Sequence, residues 1–190
     1  MKSTILKIAG IVIISFFWGN AFAQVETREA EKFIPHHLLG VAVSHAHVFD
    51  GRDADGNKKT LSLPSFGIDY TYQFRPKWGV GLHTDIIVEK FAVKKTSDQE
   101  VIERSYPIAP ALMGIYKASP HWSMLLGAGV EFEKEENFFL NRAGVEYSGE
   151  LPKEWEVFGT LIYDFKWHAY DTWVLGIGIA KSFGKGSKEK

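Results

Sequence analysis

The residues best placed for chemistry are charged side chains that recur at every second position along extended stretches. Asp69, His83, Asp85 and Glu89 form one group, and Glu131, Glu133, Arg142, Glu146, Asp164 and Lys166 form another. If the turn at 151–155 centres near Lys153, antiparallel pairing sets Arg142 opposite Asp164, with Glu146 and Lys166 one pair away on either side. The same construction about Pro76 sets Asp69 opposite His83, with Asp85 next along. A histidine beside carboxylates has the makings of a general base or a metal ligand. An arginine facing a carboxylate in a confined space is more simply a neutralising ion pair. The second reading is preferred throughout: these ten residues are expected to form a lumenal polar network. No catalytic residue, metal ligand or cofactor is assigned.

Other candidates are weaker. Ser44 and His45 are neighbours on a strand and point to opposite faces, so they cannot form a nucleophile–base pair. His45 and His47 share a face with Val41 and Val43, which fits either the lumen or the outer rim. Ser105 lies near a strand end, with no spacing that ties it to a histidine. Gly127-Ala128-Gly129 and Gly176-Ile177-Gly178 sit inside strands, where missing side chains make room for large neighbours. The acidic run from Glu131 to Glu136 lacks the spacing of a defined calcium loop.

Eight strands must position these residues: roughly 37–49, 61–75, 78–91, 102–117, 122–133, 139–150, 155–167 and 172–183, read from period-two alternation. Their connections alternate in kind. Arg75-Pro76-Lys77-Trp78, Ser119-Pro120-His121-Trp122 and Leu151-Pro152-Lys153-Glu154-Trp155 are short, each with a proline and then a tryptophan opening the next strand. Asp50–Thr60 and Ala92–Val101 are longer and charged, and Lys134–Phe138 is short and acidic. In an up-and-down barrel the short turns then share one end and the loops the other, as outer-membrane barrels arrange them.

The alternation gives each strand an apolar face. Trp122, Met124, Leu126, Ala128, Val130 and Phe132 share one side of the fifth strand, against Ser123, Gly127, Gly129, Glu131 and Glu133 with Leu125. Aromatics gather at the ends of these faces. Phe74, Trp78, Trp122, Trp155 and Phe183 lie toward the turns, and Phe132, Trp167, Tyr170 and Trp173 toward the loops, as two head-group girdles would. A soluble lipocalin-like carrier with reversed faces has the same period. It has no reason, however, to place a tryptophan after every turn at one rim.

Residues 1–23 are set apart as a secretory signal peptide. Lys2 and Lys7 precede an apolar run, and Asn20-Ala21-Phe22-Ala23 supplies the small residues a signal peptidase needs. Residues 24–36 are expected to be a flexible periplasmic lead-in, 37–183 the barrel and 184–190 a basic tail. With no cysteine in 190 residues, the fold rests on burial and hydrogen bonding alone. The 22 basic against 23 acidic residues give no electrostatic reason to expect a nucleic-acid partner.

The layout resembles the small eight-stranded bacterial outer-membrane β-barrel proteins over about residues 37–183, in its alternation, its Pro-x-Trp turns and a final strand that ends at Phe183. Lys181 interrupts the apolar face of that strand. The resemblance implies an all-β, antiparallel up-and-down transmembrane barrel. It also implies a bacterial outer-membrane location, contact with outer-membrane lipid, delivery by barrel-assembly machinery, and a monomer. The group includes adhesins, structural proteins and lipid A deacylases or acyltransferases, so a structural or surface-interaction role stands first and a lipid-modifying enzyme second.

Overall fold

A computed structural model describes residues 33–184. Eight antiparallel strands close into a barrel: β1 (His36–Val48), β3 (Leu61–Arg75), β4 (Trp78–Ile87), β7 (Ile108–Lys117), β8 (Trp122–Glu131), β9 (Phe138–Leu151), β10 (Trp155–Lys166) and β11 (Asp171–Phe183). They run in chain order around the wall, and β11 pairs back onto β1. Closure leaves no barrel strand with an unpaired edge. The expected signal peptide, most of the lead-in and residues 185–190 lie outside the described residues.

Three short strands, β2 (Gly51–Arg52), β5 (Lys90–Lys94) and β6 (Val101–Ser105), form a separate sheet in the order β2–β5–β6. This departs from the sequence reading. The strand expected over 78–91 ends at Ile87, and the one expected over 102–117 divides into β6 and β7. The division falls at Tyr106-Pro107, where Tyr106 takes a φ of 52° and Pro107 has no N–H for a ladder. The segments read as loops, 50–60 and 92–101, therefore carry part of a folded sheet at the loop end of the barrel.

The three tight turns share the other end. Gln73 stabilises the first by donating through Nε2 to the Arg75 carbonyl at 2.8 Å, beside a register shift between Gln73 and Arg75. In the second, the Ser119 hydroxyl accepts from the Trp122 amide at 3.1 Å. In the third, Lys153 and Glu154 both have positive φ, and Lys181 reaches across from β11 to the Lys153 carbonyl and to Glu154. Lys181, pairing in register with Trp155, thus anchors a turn and does not merely interrupt an apolar face.

The outward face is apolar. Leu112 (64% exposed), Leu126 (69%), Phe139 (72%) and Ile177 (66%) stand on it with Val43, Leu82 and Leu161. A soluble monomer rarely exposes a contiguous apolar surface beyond a few hundred Å². The inward face carries Ser44, Ser65, His83, Arg142, Asp164 and Lys166, all buried. The barrel is therefore inside-out relative to a water-soluble one. Apolar side chains also occupy the lumen, among them Met113, Leu140, Ile162 and Val174, so the interior is not filled by charge alone. At Gly178, a Cβ would collide with the Phe158 ring and the Val41 carbonyl, so glycine there makes room for a lumenal aromatic.

Candidate functional site

Two polar clusters sit on the barrel axis, one in the lumen and one above its loop end. The lumenal cluster centres on Arg142. Register sets Arg142 opposite Asp164, and the guanidinium donates to both carboxylate oxygens, Nε to Oδ1 at 2.7 Å and Nη2 to Oδ2 at 2.8 Å. Its Nη1 lies 2.7 Å from Asp85 Oδ2 and 3.3 Å from the His83 carbonyl. One cation from β9 thus ties β4 and β10 across the bore. His83 stands opposite Asp69 in register, with Nδ1 3.6 Å from the Asp69 carboxylate and Nε2 3.2 Å from Thr71 Oγ1.

Below this layer, toward the turns, the lumen keeps a cavity of about 50 Å³ lined by Asp69, His83, Gln73, Lys117, Glu146 and Glu156, among others. Glu146 pairs with Thr160, two lumenal pairs from Arg142 and not one, and it lines the cavity without joining the arginine. A pocket for a drug-sized hydrophobe needs roughly 300 Å³ or more. This cavity is too small for the carrier reading. Among the described residues, no group of three or more histidine, aspartate or glutamate side chains converges as metal ligands would.

The second cluster closes the loop end. Arg104, on β6, donates through Nη2 to Glu131 Oε1 at 2.6 Å and through Nη1 to the Glu136 carbonyl at 2.7 Å. Its guanidinium also lies 4.7 Å from the centre of the Phe138 ring. Tyr170 donates to the same Glu131 oxygen at 2.8 Å, and Lys166 stands 3.4 Å from the other. Lys166 also lies 4.4 Å from the Tyr170 ring and bonds the Thr172 hydroxyl. Phe91 and Phe138 pack edge-on against Tyr170. Burial works against the Arg104 cation, but the Glu131 carboxylate beside it holds its pKa above the ordinary value. Burial and the same carboxylate push the Tyr170 phenol well above its usual range, so it remains a donor.

The loops are stitched together above this layer. The Thr96 amide and hydroxyl both donate to the Ala169 carbonyl, at 2.9 and 2.7 Å. Lys95 reaches Asp98, Glu100 and Glu136 within 3.4 Å. The result is a cap joining the second, third and fourth loops. Lys95 is held well above its ordinary pKa by its hydrogen bonds to Asp98 and Glu136.

Several sequence expectations are corrected by these positions. Tyr170 is not a girdle residue: it is 1% exposed, because the short 167–170 segment folds inward over the bore. Glu89 lies beyond the end of β4, exposed, and takes no part in the lumenal cluster. Glu133 lies past β8 and joins the cap through Arg104 Nη1 at 3.4 Å. Glu131 and Lys166 belong to the mouth of the barrel and the cap. The remaining aromatics are exposed on the outer surface: Phe74, Trp78, Trp122, Trp155 and Phe183 at the turn end, and Phe132, Trp167 and Trp173 at the loop end.

His45 is outward-facing, 3.4 Å from Ser62 Oγ, and His47 shares its face. Ser44 points inward and pairs with the Ser65 hydroxyl at 2.7 Å, away from either histidine. Sequence reasoning did not single out Arg104, Lys95, Lys117 or Glu156. Only Glu156 carried a signal, its lumenal place in the alternation of β10.

The same architecture occurs in solved structures. One is Ail, the attachment invasion locus protein of Yersinia pestis, solved in complex with the heparin analogue sucrose octasulfate. It is 16% identical to this chain, with 80% of this chain and 100% of that one aligned at a TM-score of 0.50. Another is the outer membrane protein OprG of Pseudomonas aeruginosa, 15% identical, with 79% and 96% aligned at a TM-score of 0.50. The chain has the fold of the small eight-stranded outer-membrane barrels. At these identities the likeness is one of fold and carries no residue roles. No family model and no curated protein matches the sequence.

Proposed function

We propose that this chain is a monomeric outer-membrane barrel of bacteria, exported behind a cleaved signal peptide and delivered by barrel-assembly machinery. Its role is structural or surface-interacting. The carrying observation is the pairing of an outward apolar face with a bore closed twice, by the Arg142 cluster and by the Arg104–Glu131–Tyr170 cap. An eight-stranded barrel has room for side chains and little more. What it offers a partner is the folded cap built on β2, β5 and β6. The lipid-modifying reading has little support in the described residues: Ser44 faces Ser65, and Ser62, beside the outward His45, stands 3.4 Å from it, longer than the roughly 2.6–3.2 Å of a nucleophile–base pair.

Because the chain has no cysteine, single substitutions report topology cleanly. With Asp55→Cys in the first loop, a membrane-impermeant maleimide should label intact cells. With Lys77→Cys in the first turn, labelling should require permeabilised cells. Equal labelling of Lys77→Cys in intact cells would overturn the proposed orientation.

A further inference from the structure

On the outside of the barrel, at the loop end of β7 and β8, lies a groove of about 660 Å³. Its floor is apolar: Ile108 and Phe132 exchange two backbone hydrogen bonds, at 3.1 and 2.7 Å, and present exposed side chains. Tyr106, at a positive φ before Pro107, lines the groove with them, 54% exposed. Lys90 and Lys134 line the same groove, with Ser105 and Asn137. Lys90 lies opposite Ser105 in the β5–β6 ladder, so the hydroxyl sits on the strand next to that lysine.

The charge balance of the groove is one-sided. Its only carboxylate is Glu133, whose side chain is 2% exposed, 3.4 Å from Arg104 and bonded by the Glu135 amide at 3.0 Å. It is neutralised from within and does not meet the lysines. Neither Lys90 nor Lys134 pairs with a carboxylate among the described residues. Two free cations thus stand over an apolar, aromatic floor at the rim of a lipid-facing band. Such a floor suits acyl chains, and lysines over it suit a phosphate as compact point charges. Basic recesses on membrane proteins take anionic head groups by this combination.

We infer that this groove binds a phosphorylated lipid of the outer leaflet. The phosphate lies between Lys90 and Lys134, with the Ser105 hydroxyl and the Asn137 amide as further donors, and an acyl chain runs over Ile108 and Phe132. The inference rests on the membrane reading above and adds a lipid class and a position to it.

The full chain is placed in phosphatidylcholine nanodiscs doped with diphosphoryl lipid A or its phosphate-free counterpart, and retained lipid is counted by native mass spectrometry. The wild type is expected to retain the diphosphoryl form selectively. In Lys90→Ala/Lys134→Ala that retention falls about tenfold, and Lys90→Arg/Lys134→Arg restores it. Lys77→Ala/Lys153→Ala, at the opposite end, leaves it unchanged. Millimolar inorganic phosphate does not displace the lipid, because it lacks the acyl contact. Equal retention of both lipids, or by the Lys90→Ala/Lys134→Ala variant, overturns the inference while leaving the barrel in the membrane. A chain that does not enter the nanodisc overturns the membrane reading, and this inference with it.

Discussion

Arg104 and Glu131 meet at 2.6 Å with both side chains buried, the arginine on a strand outside the barrel and the glutamate at the last residue of a barrel strand. That contact couples the small sheet to the wall. It also makes the cap part of the fold, where a set of independent loops would have been the simpler expectation. Glu131 accepts from Tyr170 as well, so one carboxylate gathers the second and fourth loops.

Removing Arg104 is expected to free the cap without opening the barrel. In Arg104→Ala the Glu131 carboxylate keeps Tyr170 and Lys166, but β6 loses its tie to the mouth. Limited trypsin digestion should then cleave within 90–105 of the folded protein, where the wild type resists. Tyr170→Phe removes one hydrogen bond and keeps the ring packing, a cost of about 1 kcal/mol, and should show a smaller increase in cleavage.

Arg142 is expected to dominate the stability of the lumen. Arg142→Met leaves Asp164 and Asp85 without their cation, and breaking a buried pair in this way costs about 3–5 kcal/mol. Urea unfolding in detergent micelles should report the loss as a lower midpoint. Adding Asp85→Asn and Asp164→Asn to that variant removes the stranded charges and should recover most of it. An unchanged midpoint in Arg142→Met would mean that the lumen tolerates unpaired carboxylates.

Acid is expected to loosen the cap before the barrel. Amide N–H bonding at Glu100 and the Lys95 cation hold the Asp98 carboxyl below its ordinary value. Burial pushes Glu133 up, but the amides of Glu135 and Lys134 and the charge of Arg104 outweigh it, so Glu133 also titrates low. A depressed folded pKa gives stability that is present above the ordinary carboxylate value and is lost as pH falls through the folded one. Hydrogen exchange, corrected for its intrinsic pH dependence, should show the amides of Glu100 and Glu135 losing protection below the ordinary carboxylate range. Amides of β1 and β11 should stay protected there.

Planar-bilayer recording should find no steady conductance. The bore is crossed by Arg142, Asp85 and Asp164 and then covered by Tyr170, leaving about 50 Å³ of lumenal space on the turn side. Discrete, reproducible open levels from the wild type would show that the two closures move aside.

Much of this architecture was legible in the sequence, for a physical reason. Period-two alternation, with a proline and then a tryptophan one or two residues later at every second connection, fixes strand number and register together. A register slip by one residue would turn every lipid-facing side chain inward. Hence Asp69 lies opposite His83, and Arg142 opposite Asp164, as turn counting places them. The cap was not legible. Its strands are two to five residues long and sit among charges, and Arg104 finds Glu131 only through the fold. Alternation carried past the ends of β4 and β8 places Glu89 and Glu133 in the lumen, but the strands stop at Ile87 and Glu131. Tyr170 looks like a girdle aromatic because it lies between Trp167 and Trp173. Backbone folding at 167–170, which no periodicity reports, turns it inward.

Apolar side chains line the outside of the barrel wall and polar ones face the bore. Fractionation of cells expressing the chain, followed by gel electrophoresis of unheated and boiled outer membranes, tests it most directly. Recovery in the outer-membrane fraction is expected, with the unheated band running faster than the boiled one because the closed barrel resists detergent. Recovery in the soluble periplasmic fraction, with one mobility before and after boiling, would contradict it.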